Sequence, residues 1–263
     1  MKVFSYRNIR VLILLFILAI AAIYTQDQRL STTLWFKPID VVIYPINGDS
    51  SQKTADYIRQ LSKNDFHDID DFFSRGAKRY HLIAEQPVIT SLGKTIEKMP
   101  PTPPRDRNAI FQVIVWSLKL RYWAYQNNPD DKSNNSRIRL YVIYHQATEG
   151  QALAHSLGLQ KGLIGIIHAY ANTKQSAQNA VVMAHEILHT VGATDKYDAN
   201  NHPIYPSGYV KPEQKPLYPQ RYAEIMAGRI PLAEQSSKMP KSLKFTQVGK
   251  TTATEINWTP SND

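Results

Sequence analysis

The sequence predicts an α+β or three-layer domain with a mixed, twisted sheet, preceded by one N-terminal apolar segment. Its 263 residues, 43% of them hydrophobic, can bury one large core. β-rich runs and helical patterns follow one another as strand, helices, strands and helix. Because no internal repeat and no second domain are evident, residues 38–263 are expected to form one unit.

The charge and the lack of cysteine exclude several classes of function. The formal net charge is +9, and residues 1–37 carry +4 of it. The rest has no run of five basic residues, so nucleic acid is not an expected partner, and an anionic membrane or cell wall is a weaker possibility. With no cysteine, disulfides and thiol catalysis are excluded, and any metal must be held by His, Asp or Glu.

The N-terminal segment, residues 1–24, predicts the compartment. Basic residues Lys2, Arg7 and Arg10 precede the apolar run Val11–Tyr24. The run is short for a membrane span, and two interpretations remain open: a signal peptide cleaved near Ala19–Ala21, or a signal anchor. Both place the rest of the chain outside the cytoplasm, in the periplasm or secreted, and the anchor would tether it to the inner membrane through residues 11–24. Residues 25–37 are expected to form a linker.

Strand and helix patterns alternate through the first half of the chain. Ile39–Tyr44 is β-rich, and Pro45 is expected to end this strand. The predicted elements that follow are helices at Ser51–Leu61 and Asn64–Tyr80, a proline-rich connector at Met99–Arg105 and an apolar, buried helix at Ala109–Gln126. Asp70 and Asp71 are expected on a solvated helix face.

The second half continues with a polar turn region at Gln126–Ser136 and strands at Arg137–Tyr144 and Gly162–Tyr170. A helix is predicted from Thr173 or Ser176 to about Val191, since its apolar residues recur every three to four positions. Residues 200–221, with five prolines, are expected to form a loop, and a short helix is expected near Val248–Ile256.

The motif HEILHTVGATD lies on that helix and indicates a zinc site. His185 and His189 are four residues apart, so both rings lie on one helix face and can bind one metal ion. Glu186 points about 100° away around the helix. It is poorly placed as a ligand but well placed to act as a general base on a metal-bound water.

A hydrolytic zinc site needs a third protein ligand and one open position. Gly192 can adopt the left-handed conformation that ends a helix, which would let Asp195 turn back toward the metal. The third ligand stays open between Asp195 and Asp198, because Asp195 could instead support a ligand histidine.

HEILHTVGATD resembles the motif of the metzincin clan of zinc peptidases, and its terminal Asp is similar to snapalysin-type bacterial proteases. The resemblance covers about residues 180–230. It implies a metzincin-like domain with a methionine turn, for which Met226 is the candidate. It also implies that Gly162–Tyr170 is the edge strand that binds a peptide. Some members carry a Tyr two residues after the Met. That position is Gly228 here, and Tyr218 or Tyr222 could substitute.

The expected function is that of an extracytoplasmic zinc-dependent endopeptidase acting on peptides or proteins. His185, His189 and Asp195 would hold Zn²⁺, and Glu186 would be the catalytic base. Two alternatives stay open: a zinc-binding envelope scaffold without activity, and a zinc hydrolase of a non-peptide bond. His168 is expected to be structural rather than catalytic, and His202 to have no role. His145 has no partner at the sequence spacing of metal ligands. The substrate and oligomeric state are not indicated.

Overall fold

The computed structural model describes residues 6–104, 109–128, 137–146, 156–159 and 163–259. Arg105, most of the predicted polar turn region and Gly162 lie outside these residues. The helices are α1 (Tyr6–Thr33), α2 (Gln52–Gln60), α3 (His67–Tyr80), α4 (Ile110–Gln126), α5 (Ser176–Thr190) and α6 (Lys250–Glu255). The strands are β1 (Ile39–Asn47), β2 (Val88–Leu92), β3 (Ile138–His145), β4 (Leu157–Leu159), β5 (Ile164–Tyr170), β6 (Ala223–Glu224), β7 (Ile230–Ala233), β8 (Ser236–Lys238) and β9 (Thr246–Gln247).

The central sheet has the strand order β2-β1-β3-β5-β4. Strands β2, β1, β3 and β5 are parallel to one another, and β4 pairs antiparallel with β5. The predicted α+β class with a mixed sheet is therefore confirmed. The described C-terminal strands form two small separate pairs, β6 with β9 and β7 with β8.

Helices cover both faces of the sheet, which gives three layers. Alternate residues of β1 point to opposite sides, so Val41 and Ile43 belong to one buried cluster and Val42 and Tyr44 to the other. The first cluster also contains apolar residues of α3, α5 and α6, and the second contains those of α4. Strands buried on both faces are typical of parallel sheets and explain the nearly continuous apolar run in β1.

Strand β1 passes through Pro45, so the prediction that Pro45 ends it is wrong. A residue in a parallel strand directs its N–H and C=O to the same side, and Pro45 accepts a hydrogen bond there from Ile96 N at 2.9 Å. On that side β2 has already ended at Leu92. The missing proline N–H therefore costs no bond to a strand.

Helix α1 continues to Thr33, through most of the segment predicted as a linker. Only residues 34–38 separate it from β1. Trp35 in this short connection is buried, and its Nε1–H donates to Ile256 O at 2.6 Å. Among the described residues, no helix combines the length and the apolar character needed to cross a membrane.

Helix α4 is not the buried helix that its composition predicts. Only Trp116, Leu120 and Ala124 are buried, and they pack on the sheet. The opposite side of α4 is apolar and exposed. An apolar composition on all sides predicts a buried helix. It does not show that one side of α4 is left uncovered in the fold.

Asp70 is buried, which corrects its expected place on a solvated face. Its Oδ1 accepts the backbone N–H of Thr90 at 2.8 Å and so joins α3 to β2. Asp71 remains exposed, near His67. The predicted loop over 200–221 is confirmed, because only isolated bridges occur there, and the predicted short C-terminal helix is confirmed as α6.

Candidate metal centre

Helix α5 positions the three motif residues as the sequence predicts. Its buried side, with Ala184, Ile187 and Leu188, packs in the main core. The helix ends where Gly192 adopts φ +110°, a conformation that disfavours any residue with a side chain. Ala193 N–H then donates to Leu188 O at 3.0 Å, and the chain turns back toward the helix. The predicted turn at Gly192 is confirmed.

The turn brings Asp195 to the two histidines. Its Oδ1 lies 3.2 Å from His185 Nε2 and 3.1 Å from His189 Nε2, and the two Nε2 atoms are 3.0 Å apart. Asp198 does not reach this group. Its carboxylate is exposed and accepts the backbone N–H groups of Asn200 and His202, both at 2.9 Å, in a hairpin turn.

The spacing of these atoms fits a small metal ion. Ligand atoms about 2.1 Å from a tetrahedral zinc lie about 3.4 Å from one another. The three observed separations are slightly shorter, at 3.0–3.2 Å. Lone-pair atoms this close repel one another unless a proton or a metal cation lies between them. The atoms are two imidazole nitrogens and one carboxylate oxygen, and zinc accepts both kinds of donor.

Backbone carbonyls orient both rings. His185 Nδ1 lies 3.0 Å from Ile225 O, and His189 Nδ1 lies 2.9 Å from Ala193 O. A carbonyl oxygen only accepts, so each Nδ1 carries the proton and donates it. In a neutral ring this leaves the Nε2 lone pair directed at the shared position, which is the usual outer support of a metal-ligating histidine.

Burial and neighbouring charges shift the pKa values of His185 and Asp195 in opposite directions. Burial would lower the pKa of His185, but the hydrogen bond to Asp195 and the charge of Glu186 outweigh it, so the pKa is raised. Burial would raise the pKa of Asp195, but hydrogen bonds from His185 and His189 hold it below its ordinary value. The group is therefore built to hold positive charge next to Asp195.

Glu186 is buried beside these three side chains. Burial raises its pKa, while the charges of His185 and His189 and the backbone N–H of Gly158 oppose the rise. Its Oε2 is buried and has no hydrogen-bond partner among the described residues. An unpartnered carboxylate oxygen beside three convergent ligand atoms fits a base that acts on a molecule bound there.

Strand β4 lies against this site and forms the described edge of the sheet, so the prediction that Gly162–Tyr170 is the edge strand is wrong. β5 in that segment lies inside the sheet, between β3 and β4. A Cβ built on Gly158 of β4 would come within 2.5 Å of Glu186 O and 2.7 Å of His189 Cβ. Sequence analysis missed Gly158, although a glycine in a strand can signal such a close approach.

Met226 lies in a tight buried turn beneath the site. Ile225, whose carbonyl holds His185, precedes it, and Gly228 at φ +68° follows. Glu224, fully buried, braces this turn: its Oε2 accepts Ala227 N–H at 3.0 Å, and its Oε1 accepts Gly249 N–H at 3.0 Å. Burial raises the pKa of Glu224. Nothing in the sequence marked this glutamate.

Lys196 also escaped sequence analysis. It follows Asp195, is buried, and its Nζ lies 2.8 Å from Glu255 Oε2 in α6. Glu255 also accepts the backbone N–H of Thr194 at 2.9 Å. Lys196 N–H donates to Met226 O at 3.0 Å. The segment that carries Asp195 is thus held by both α6 and the methionine-containing turn.

The tyrosine beside His185 is neither of the two that the sequence suggested, Tyr218 and Tyr222. Tyr197 lies beside His185, with ring centroids 6.5 Å apart and 27° between the planes. Tyr218 is hydrogen-bonded to Tyr209 through the hydroxyls at 3.0 Å. Tyr222 lines a separate cavity against α3 and β9.

The other histidines stay outside the group. His168 pairs with His145, whose Nε2 lies 3.1 Å from His168 Nδ1. Burial lowers the pKa of both rings. Within the described residues, His185, His189 and Asp195 are the group of His, Cys, Asp or Glu side chains that could hold a metal ion.

Neither a protein-family model nor a curated protein matches this chain in sequence.

Proposed function

We propose that the chain is an extracytoplasmic zinc-dependent endopeptidase of metzincin type. The observation that carries the proposal is the convergence of His185 Nε2, His189 Nε2 and Asp195 Oδ1 within 4.8 Å, reached across the Gly192 turn. The buried, unpartnered Oε2 of Glu186 beside them supports a hydrolytic site over a purely structural one.

The chain's own residues have separate tasks in this proposal. His185, His189 and Asp195 would hold the zinc, which supplies a Lewis acid and lowers the pKa of a bound water. Glu186 Oε2 would accept the proton of the attacking water and deliver it to the leaving amine. The raised pKa of Glu186, caused by burial, favours a carboxylate that both takes up and releases a proton.

Strand β4 would bind the substrate. It is the described edge of the sheet, and an extended peptide could pair with its outer side as an added strand. Gly158 sits against Glu186 and His189, so a peptide along β4 would pass close to both residues. The position of this edge favours a peptide over a compact non-peptide substrate.

The proposed location follows from the N-terminal sequence. The basic residues before the apolar run would stay in the cytoplasm, which places the catalytic domain on the other side of the membrane. Substrates would then be exported or envelope proteins and peptides.

The test is a comparison of wild type with Glu186→Gln for zinc content and for cleavage of casein and a peptide library. Wild type should bind zinc and cleave, and a chelator should abolish cleavage. Glu186→Gln should keep the zinc and lose about two to four orders of magnitude in turnover, the usual contribution of a general base.

Other outcomes would contradict the proposal in different ways. Zinc binding by wild type without cleavage of any peptide would favour a scaffold or a non-peptide hydrolase. Wild-type turnover by Glu186→Gln would remove Glu186 from the mechanism.

A further inference from the structure

Helix α4 exposes a continuous apolar side, which we call the α4 outer face. Its residues are each between 52% and 78% exposed: Ile110, Phe111, Ile114, Leu118, Tyr122 and Tyr125. Single exposed apolar residues are ordinary on a protein surface, but a contiguous apolar patch marks an interaction site.

The spacing shows that these residues form one stripe. Ile110, Ile114, Leu118 and Tyr122 are each four residues apart, so they lie along one side of the helix. The stripe runs about 22 Å along the axis. On the other side, Leu120 and Ala124 are buried on the sheet. The stripe therefore faces away from the domain it belongs to.

The helix that carries the stripe has a positive net charge. α4 contains Lys119 and Arg121 and no acidic residue. An apolar and aromatic helix face with basic neighbours matches a bilayer surface with anionic headgroups, which attracts Lys and Arg and accepts apolar side chains below them.

The connector before α4 adds a groove to this surface. Pro101, Pro104, Phe111 and Lys119 line it, so an apolar wall and an ammonium group lie side by side. Trp116 fixes the connector to the helix, because its Nε1–H donates to Pro101 O at 2.9 Å. Such a groove presents a cation to a phosphate and apolar atoms to an acyl chain.

We propose that the α4 outer face is a membrane-contact surface that lies in the interface of a bilayer containing anionic lipids. The proposal does not depend on the peptidase assignment. Helix α1, which exposes an apolar run from Val11 to Leu18, would already bring the chain to a bilayer. α4 would then set how the domain lies on it.

A second copy of the chain fits this surface less well. Two-fold pairing through α4 would place the same patch on both sides of the interface. Lys119 and Arg121 would then come close to the same basic residues of the second copy. Like charges brought together in this way oppose association, whereas anionic headgroups neutralise them.

The absence of cysteine allows a direct test in the full-length protein. Leu118→Cys is labelled with an environment-sensitive NBD probe, and Ile83→Cys is the matched control. Ile83 is an exposed apolar residue, at 77%, outside the α4 outer face. Each protein is mixed with phosphatidylcholine vesicles, with and without phosphatidylglycerol, and with vesicles carrying a nitroxide quencher on the lipid.

The probe at position 118 should brighten severalfold on phosphatidylglycerol vesicles, be quenched by the lipid nitroxide, and lose the effect in high salt. The probe at position 83 should change little, even when α1 holds the protein on the vesicle. Phe111→Cys should repeat the result of Leu118→Cys.

Three results would overturn the proposal. Equal responses at positions 118 and 83 would show that α4 does not approach the lipid. Equal responses to neutral and anionic vesicles would remove the role of the basic residues. A response at position 118 that grows with protein concentration in the absence of lipid would assign the surface to a second copy.

Discussion

The close packing of β4 on the motif helix predicts that Gly158→Ala damages the proposed active site. The added Cβ would lie 2.5 Å from Glu186 O and 2.7 Å from His189 Cβ, both parts of the helix α5. Ordinary contacts of a Cβ are 3.4–4 Å. β4 and α5 would therefore have to separate by about 1 Å, since neither contact is the flexible end of a side chain.

This displacement has two expected costs. Inserting a methyl group into a packed contact destabilises a protein by about 1–3 kcal/mol, which lowers Tm by roughly 2–4 °C per kcal/mol in a chain of this size. A shift of about 1 Å between catalytic groups and substrate costs on the order of 100-fold in rate. The loss of turnover should therefore exceed what the loss of stability explains.

The assay measures kcat, KM, zinc affinity and Tm for Gly158→Ala beside Gly165→Ala. Gly165 is the direct partner of Gly158 in the β4–β5 pairing. A Cβ at Gly165 would meet the end of the Leu140 side chain, at 2.6 Å, and not the backbone of the motif helix. Gly165→Ala should keep most of its turnover. Full activity in Gly158→Ala would refute the placement of β4 on the site.

Two further predictions concern the metal ligands. Asp195→Ala should weaken zinc binding at least about 10-fold, because it removes a ligand or its support, whereas Asp198→Ala should leave it unchanged; competition with a chelating dye measures both. Zinc affinity should rise with pH, because His185 must lose a proton to bind metal and its pKa is raised. Calorimetry in buffers of different ionisation enthalpy should show proton release at neutral pH, and no release would contradict the raised pKa.

The motif helix and the sheet were predictable because local patterns specify them. The apolar repeat of α5 and the spacing of His185, Glu186 and His189 are properties of one short segment. The choice between Asp195 and Asp198 was not predictable, since it depends on how the chain leaves Gly192. Only the folded structure shows Asp198 turned into its own hairpin.

The residues that sequence analysis missed act over long separations. Gly158, Glu224 and Lys196 lie outside any pattern in their own segments, and their roles appear only through partners elsewhere in the chain. The exposure of α4 likewise depends on the rest of the fold, because none of the described elements packs on its outer side. The position of β4 at the edge of the sheet also depends on a long-range contact, its pairing with β5.

The bonds of Glu255 to Thr194 and Lys196 have a consequence for the order in which the site forms during synthesis. Thr194 and Lys196, on either side of Asp195, both bond to a carboxylate that follows them by about sixty residues. While the chain emerges from the ribosome, His185, His189 and Asp195 are synthesised before Glu255, whose carboxylate supports this segment. The newly made protein therefore acquires full support for the proposed metal site only after α6 has docked. The three side chains of the site are synthesised well before that support.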